Sequence, residues 1–495
     1  MIPEDVRSQY TATIGIECHV QLKTATKLFA AVGNDARDAE PNTLVSHICF
    51  GLPGALPVLN RQAVRLAIRA AFALGTDPQQ HSSFDRKHYF YPDLPLGYQI
   101  TQFEHPIIRD GFVDIEVQGA KKRISVREAH LEADAGKSTH PAGGDYSLVD
   151  LNRAGTPLLE IVSGPDMHTA EEAKAYVKKL HTLMKFADVS EANLFYGNMR
   201  FDVNVSVSKT DELGTRTETK NINSFRSVEK TVEYEIKRQI EVLEKGGTIV
   251  QETRGFDDVK QRTFSQRSKE DAHDYRYFPD PDIPPIELDE ALIEAVRSEM
   301  PVMPDEWQQR LLALNLNDAQ ITTLLDGEVE SAHVSYLELI EEAHQEDEAF
   351  SKALANWFVN LELPLRHDDT QKMTHLTNQA RLSLYRQVFA LLQQKKLSSS
   401  NAKAVITKLL TAADAALPNV AEFAAKHGFI QESDEGAIKA VVAKVLEENP
   451  KAAEDVKNGE MKAIGFLVGQ VMKHSQGRAN PALAGDLIRE QLGIK

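Results

Sequence analysis

The stretch Ile-Gly-Ile-Glu-Cys-His-Val-Gln-Leu at residues 14–22 decides the fold of the first half of the chain. Its apolar residues alternate with glycine, glutamate, histidine and glutamine, and this period of two predicts a β-strand with one buried face. The polar face carries Glu17 and His19, whose backbone positions lie about 6–7 Å apart in an extended strand. Both side chains can therefore reach one shared point. The simpler alternative is an amphipathic strand whose polar face is only solvated.

Length and composition indicate a globular protein of several domains. The 495 residues are enough for two or three domains with a sizeable core, and the charged fraction of 26% is typical of soluble chains. No run approaches the roughly 18 apolar residues of a membrane span, and the N-terminus lacks a signal-peptide pattern. Cys18 and Cys49 are the only cysteines in the sequence, which argues against a disulfide framework and favours a cytoplasmic location.

The chain changes character after a proline-rich break. Residues 1–285 alternate strand and helix patterns, whereas the remainder is almost wholly helical. Four prolines lie between positions 279 and 285, and proline lacks the amide proton that a helix or an inner strand needs. The predicted fold is an α+β N-terminal domain with a mixed or antiparallel sheet, followed by an all-α helical domain and an all-α tail. We place these domains at residues 1–285, 286–350 and 351–495.

Charge is unevenly distributed over the helical half. The net charge of −17 by itself argues against a nucleic-acid partner. However, residues 286–350 hold 17 acidic and 2 basic residues, whereas residues 351–495 hold 15 acidic and 19 basic ones. The asymmetry can serve solubility alone, or it can mark the tail as a site for an acidic partner.

Basic side chains in that tail are candidates for gripping the phosphates of a structured RNA. They are Lys403, Lys408, Lys473 and Arg478. The alternative for the last two is that cations before Gly477 only complement the C-terminal dipole of a helix.

Three carboxylates and one imidazole predict a metal site, provided that the fold brings them together. They are Glu17, His19, Glu132 and Glu218, the last on a Thr-rich strand expected to pair with strand 202–207. Converging carboxylates repel one another unless a cation is bound between them. Oxygen ligands favour Mg²⁺ or Mn²⁺, whereas the imidazole shifts the preference toward Mn²⁺ or Zn²⁺.

Two stretches combine basic and aromatic residues. Residues 84–100 place Arg86 and Lys87 among tyrosines ahead of a proline-rich turn, and residues 274–282 repeat the pattern. Cations beside aromatic rings can hold a phosphate and stack a base, although packed loop anchors would look the same.

A nucleotide-binding P-loop is not indicated. The run Gly-Lys-Ser-Thr at residues 136–139 resembles the end of one, but the pattern requires glycine at position 131, which is Leu131. The sequence also lacks the H-E-x-x-H and G-x-S-x-G motifs, so nothing indicates a self-contained hydrolase.

Taken together, these stretches resemble the B subunit of the tRNA-dependent glutamyl/aspartyl amidotransferase, the GatB family. The resemblance covers essentially the whole chain. The matching runs lie at residues 14–22, 51–60, 84–93, 132–139, 148–162, 220–225, 274–282 and 465–473.

The resemblance implies an N-terminal cradle with a kinase-like active site, a helical domain and a YqeY-like tail that contacts tRNA. The implied reaction uses ATP to phosphorylate the side-chain carboxylate of Glu-tRNA(Gln) or Asp-tRNA(Asn). Ammonia from glutamine, made by a glutaminase A subunit, then displaces phosphate, and a small C subunit completes a heterotrimer. The alternative is a non-catalytic tRNA-binding scaffold. The archaeal GatE relative carries a large inserted domain, for which this chain has no room.

The resemblance also assigns site residues. Glu17, His19, Glu132 and Glu218 match the positions of the family's magnesium ligands, with Glu160 and Asp134 as rivals, and this assignment overrides the preference for softer ions. We expect Lys87 to contact phosphate and Asp202 and Asn204 to line the same pocket.

The chain departs from the family at one place. Many relatives carry a Cys-x-x-Cys pair before Gly-Leu-Pro-Gly and bind zinc. This chain has Ser46-His47-Ile48-Cys49 there, and we therefore expect no structural zinc.

Overall fold

The computed structural model describes residues 2–494 except 142, 269–274, 332, 369–372, 413–417, 431–434, 459, 461 and 476–478. Contacts between residues divide the chain into two compact units, Met1–Pro304 and Asp305–Lys495. Among the described helices, none combines the length and the apolar character that a membrane crossing requires.

The first unit contains both helices and strands, as predicted. Its elements are α1 (Glu4–Arg7), β1 (Thr11–Gln21), α2 (Arg61–Ala73), β2 (His81–Ser82), β3 (Asp85–His88), β4 (Tyr98–Thr101), β5 (Ile108–Val117), β6 (Ala120–Ala133), β7 (Lys137–Thr139), β8 (Leu148–Asp150), β9 (Pro157–Ser163), α3 (Ala170–Phe186), β10 (Met199–Ser208), β11 (Thr217–Ile222), α4 (Phe225–Glu244), β12 (Glu252–Asp257), β13 (Arg262–Ser268), β14 (Phe278–Pro279), β15 (Ile286–Glu287) and α5 (Glu290–Ser298).

An eight-stranded sheet dominates this unit, in the order β13-β12-β11-β10-β1-β9-β6-β5. Neighbouring strands are antiparallel except for the parallel pair β11 and β12. Smaller sheets join β14, β3 and β4, then β15 and β2, and β7 and β8. Strand β1 lies near the middle of the large sheet, so its polar face has neighbours on both sides.

The alternation in β1 determines which face of the sheet is buried. Ile14, Ile16, Cys18 and Val20 are at most 1% exposed and belong to the main apolar core, to which α3 and α4 also contribute. Burial of one such side chain contributes about 1.5–3 kcal/mol. The opposite face of the central strands is therefore left for polar side chains.

Local signals for helix ends agree with the structure. The side chain of Asn60 accepts a hydrogen bond from the amide of Gln62 and caps α2, while Gly75 follows the helix with φ +69°. A side chain at Gly75 would also meet the ring of Phe112. Thr169 and Ser224 cap α3 and α4 in the same way as Asn60.

Contacts place the boundary of the first unit later than residue 285. Helix α5 follows the prolines, but Ile293 and Val296 are buried in the same core as β1. The apolar face of α5 thus holds the chain in the first unit as far as Pro304. The division into three functional domains stays a prediction.

The second unit is helical, as predicted. Its elements are α6 (Pro304–Ala313), α7 (Asp318–Glu330), α8 (Tyr336–Glu346), α9 (Glu348–Trp357), a π-helical segment (Phe358–Glu362), α10 (Leu363–Arg366), α11 (Asn378–Gln393), α12 (Ser399–Leu410), α13 (Val420–Lys426), α14 (Glu435–Glu448), α15 (Pro450–Lys457), α16 (Lys462–His474) and α17 (Pro481–Leu492). Helices α14 to α17 share an apolar core of their own.

Candidate catalytic site

The register of four central strands assembles a polar face. Glu17 on β1 lies opposite Asp202 on β10, and His19 lies opposite Glu160 on β9. On its other side, Glu160 lies opposite His130 on β6. Residues directly opposite in an antiparallel pair share a face, so the acidic groups and both imidazoles converge on one surface.

His19, His130, Glu132 and Glu160 form a first group, the histidine cluster. The Nε2 atom of His19 lies 3.5 Å from a Glu160 oxygen and 3.8 Å from a Glu132 oxygen. The Nε2 atom of His130 lies 3.2 Å from Glu160 and 3.9 Å from Glu132. All four side chains are at most 14% exposed, so their charges interact with little screening by water.

The histidine cluster shifts the pKa of each of its members. Burial opposes charge on His19, but the Glu160 carboxylate outweighs it and raises the pKa of His19 to about 9. The pKa of His130 is also raised, against its burial, by Glu160. Burial would raise the pKa of Glu160, yet the two imidazoles hold it well below its usual value. Burial and the Glu160 charge raise the pKa of Glu132.

Glu17, Asp202 and Glu218 form a second group, the carboxylate cluster. Lys220 Nζ lies 3.2 Å from Asp202 and 3.1 Å from Glu218, and Asn204 Nδ2 donates to Glu17 Oε1 at 3.1 Å. Burial and the charges of Glu160, Glu218 and Asp202 raise the pKa of Glu17. Lys220 thus bridges two of the three carboxylates.

Both clusters fit a divalent cation. Ligand atoms of His19, Glu132 and Glu160 lie within 4.8 Å of one another, as do those of Glu17, Asp202 and Glu218. Within the described structure, the Nδ1 atom of His19 is buried without a hydrogen-bond partner, as is that of His130. Burial and mutual repulsion raise the pKa of Glu17 and of Glu132, and a bound cation would offset the repulsion.

The structure divides the four predicted metal ligands between the two clusters. His19 and Glu132 lie in the histidine cluster, whereas Glu17 and Glu218 lie in the carboxylate cluster. Their assignment as ligands stays a prediction.

Of the two rival ligands, Glu160 joins the histidine cluster and Asp134 does not. Asp134 is ion-paired with Arg200 at 3.0 Å and Arg153 at 3.4 Å. Burial opposes its charge, but these arginines lower the pKa of Asp134, so its carboxylate is already neutralised.

Lys87 lies beside the acidic groups, at the wall of a cavity of about 740 Å³. The cavity is also lined by Glu17, Glu160 and Glu218. Burial lowers the pKa of Lys87, but the Glu132 and Glu160 charges outweigh it, so the pKa is raised and the ammonium stays charged. Asp202 belongs to the carboxylate cluster and Asn204 donates to Glu17, but neither is among the residues that line this cavity. Asn204 lines a separate cavity, to which Glu17 also contributes.

Sequence reasoning missed His130, Arg200 and Lys220. His130 precedes Glu132 by two positions on β6, and Arg200 precedes Asp202 by two on β10. The same period-two alternation that singled out Glu17 and His19 would have found them. Lys220 follows Glu218 by two positions in the same way.

The predicted RNA-binding side chains lie in the helical unit. Lys403 and Lys408 are exposed on α12, and Lys473 is exposed near the end of α16. Arg478 lies outside the described residues. Ser398 caps α12 by accepting a hydrogen bond from the backbone amide of Asn401.

Cys49 packs inside the first unit. Its Sγ atom lies 3.4 Å from Lys27 Nζ and 3.6 Å from Ser46 Oγ. Both cysteines are free and buried.

The fold and this polar face define the class of the molecule, an enzyme chain with an α+β catalytic unit and a helical second unit. Residues 12–294 match the family model described as the GatB/GatE catalytic domain, and residues 338–492 match the one described as the GatB domain. The chain belongs to the GatB family.

Relatives align over the full length. A protein of Carboxydothermus hydrogenoformans is 43% identical over 98% of this chain and 99% of its own length. One of Thioalkalivibrio sulfidiphilus is 43% identical over 98% and 100%, and one of Brevibacillus brevis is 42% identical over 98% and 99%. All three are named as the B subunit of an aspartyl/glutamyl-tRNA(Asn/Gln) amidotransferase.

Proposed function

We propose that this chain is the synthetic subunit of a tRNA-dependent amidotransferase. It converts Glu-tRNA(Gln), Asp-tRNA(Asn) or both into the amidated forms with ATP and ammonia. The observation that carries the proposal is the pairing of two acidic clusters with Lys87 at one cavity, in the unit that matches the family's catalytic domain.

The chemistry explains why such a site is needed. The negative charge of a carboxylate repels ammonia and offers no good leaving group. Transfer of the γ-phosphoryl group of ATP to a carboxylate oxygen releases ADP and gives an acyl phosphate. Ammonia then forms a bond to the acyl carbon, the carbon–oxygen bond to phosphate breaks, and inorganic phosphate leaves. Phosphoryl transfer depends mainly on positioning and on neutralisation of charge.

The residues of the site are suited to position a phosphate and to neutralise its charge. Lys87 keeps its charge at the cavity wall and would contact a phosphate oxygen. Lys220 would hold the carboxylate cluster in place, because it already bridges Asp202 and Glu218. Asn204 would orient Glu17 through the hydrogen bond to its oxygen.

Mg²⁺ fits the oxygen-rich surroundings. His19, Glu132 and Glu160 would hold one ion, and Glu17, Asp202 and Glu218 could hold another. Such an ion, when bound, neutralises phosphate charge.

The reaction requires partner chains. A glutaminase A subunit would supply ammonia and a small C subunit would complete a heterotrimer, in keeping with the names of the relatives, which describe one subunit of a larger enzyme. The exposed lysines of the helical tail would hold the tRNA. We place the complex in the cytoplasm, which suits two free cysteines.

The direct test is reconstitution of the chain with A and C subunits, followed by amidation assays with both misacylated tRNAs. We expect ATP- and glutamine-dependent formation of Gln-tRNA, Asn-tRNA or both. A complex that binds both tRNAs but amidates neither would contradict the proposal and favour the scaffold alternative. Glu17→Ala sharpens the test, because it should abolish ATP cleavage and leave tRNA affinity nearly unchanged.

A further inference from the structure

Two aromatic rings form a stacked pair at the edge of the catalytic cavity. The ring centroids of Phe103 and Tyr277 lie 4.1 Å apart with an interplanar angle of 10°. Both residues line the cavity, together with Tyr275. Phe103 is 51% exposed, so part of its ring is accessible to a ligand in the cavity. We call Phe103, Tyr275 and Tyr277 the aromatic wall.

Buried contacts fix the position of Phe103. The backbone amides of Phe103 and Glu104 both donate to the carboxylate of Asp85, at 2.9 and 3.1 Å. Asp85 is itself only 1% exposed. The exposed ring therefore follows a rigid turn after β4 and is not carried on a loose loop.

Tyr277 is held from the other side of the same small sheet. The next residue, Phe278, begins β14 and pairs with Arg86 on β3. The Arg86 guanidinium binds Asp280 and Asp282, each at 2.8 Å, and the Asp280 side chain is fully buried. The aromatic wall is thus built by specific contacts on both of its sides.

The cavity brings this wall together with charged groups. The same 740 Å³ space is lined by Glu17, Glu160 and Glu218 and by Lys87. Lys87 Nζ lies 4.9 Å from the ring centre of Tyr275, so the lysine joins the two regions. A ligand that suits this cavity has a flat aromatic part and a polyanionic part that binds cations, which is the chemistry of a nucleotide.

We propose that the aromatic wall is a stacking site for an adenine base, with the exposed ring of Phe103 as its platform. This inference rests on the proposed function, which supplies two sources of adenine. One is ATP, whose phosphates would then reach the acidic clusters. The other is the terminal adenosine of the tRNA acceptor end. The first is favoured, because Lys87 and the carboxylates lie in the same cavity.

The test compares ATP with inorganic tripolyphosphate, each with Mg²⁺, in equilibrium binding to the reconstituted complex. Phe103→Ala should weaken ATP binding about tenfold or more, within the range that base stacking on an aromatic ring contributes. Binding of tripolyphosphate, which has no base, should not change. Phe103→Tyr keeps a ring and should retain ATP affinity. Phe195→Ala serves as the matched control, because Phe195 is 88% exposed but lies outside this cavity.

Each outcome decides the matter. If Phe103→Ala leaves ATP binding unchanged but weakens binding of full-length tRNA, and does not weaken binding of a transcript lacking the terminal adenosine, adenine stacking stands with tRNA as its source. Unchanged affinity for both ligands overturns the inference, as does an equal loss for ATP and tripolyphosphate. Because wild-type amidation is measured separately, failure of the stacking site is distinguishable from failure of the proposed function.

Discussion

At the scale of single residues, the site depends on one carboxylate shared by two imidazoles. Glu160 lies 3.5 Å from His19 and 3.2 Å from His130, and their mutual attraction raises both histidine pKa values and lowers that of Glu160. A divalent ion must displace protons from such a cluster, since imidazole binds metal in its neutral form.

Replacement of Glu160 tests this arrangement. Glu160→Gln removes the charge that orients His19 and His130, and we expect the affinity for Mn²⁺ alone to fall about tenfold or more. Electron paramagnetic resonance titration of free Mn²⁺ measures it. Glu128→Gln is the control, because Glu128 lines the same cavity but belongs to neither cluster. Equal Mn²⁺ affinity in the wild type and in both variants would exclude Glu160 as a ligand.

A second carboxylate, in the helical unit, makes stability depend on pH. Burial raises the pKa of Glu328 to about 7 from an ordinary value of 4.5. The folded state thus favours the protonated form, so the contribution to stability is full below pH 4.5 and is lost as the pH rises through about 7.

Glu328→Gln removes this titration and keeps an acceptor for the Leu337 amide. We expect the variant to gain melting temperature over the wild type at about pH 8, with little gain at about pH 5. Thermal unfolding followed by circular dichroism measures both. The exposed Glu447→Gln on α14 should show no such pH-dependent difference. A gain of equal size at both pH values would refute the assignment.

At the scale of elements, a buried ionic group holds a π-helical segment against α11. Glu362 ends the π-helix with a fully buried side chain that binds Arg381, and it accepts a hydrogen bond from Tyr385 at 2.6 Å. Arg381 is only 1% exposed. A wide helical turn needs such specific partners, since its backbone geometry is less favourable than that of an α-helix.

Arg381→Leu should destabilise the chain by about 3–5 kcal/mol, because it leaves the Glu362 charge buried without its main partner. Urea unfolding monitored by tryptophan fluorescence measures the change. Arg386→Leu on the same helix removes an exposed ion pair with Glu346 and should cost about 0–1 kcal/mol. Similar losses for the two variants would show that the buried group has no special role.

At the scale of the whole molecule, the candidate catalytic residues and the candidate tRNA-binding lysines lie in different units. The acidic clusters and the cavity belong to the first unit, whereas the three described RNA-binding candidates lie in the second. A chain with a net charge of −17 can bind a polyanion only where cations are locally concentrated.

Charge reversal of Lys403, Lys408 and Lys473 to Glu should weaken tRNA binding. It should also reduce the slope of log affinity against log salt concentration by up to about one unit per lysine. Filter binding at several salt concentrations measures both quantities. The matched control reverses Lys121, Lys245 and Lys260, which are exposed in the first unit and change the net charge equally. If both triple variants lose affinity equally, only the overall charge matters and the tail is not the tRNA site.

Local patterns were sufficient for much of the fold. The alternation at residues 14–22 predicted β1 and its buried face. The α+β and all-α parts followed from the same signals. These features depend on neighbours within a few positions, so a sequence carries them directly.

The composition of the site could be predicted from the sequence, but its geometry could not. Glu17, His19, Glu132 and Glu218 all lie on the polar face, yet the sheet order places β10 on one side of β1 and β9 on the other. That order separates Glu17 from His19, each with its own partners, and it brings in His130 and Lys220. The residues available to the site were determined by the sequence alone. Which of them meet was decided only by the tertiary structure, because strand pairing joins positions nearly two hundred residues apart.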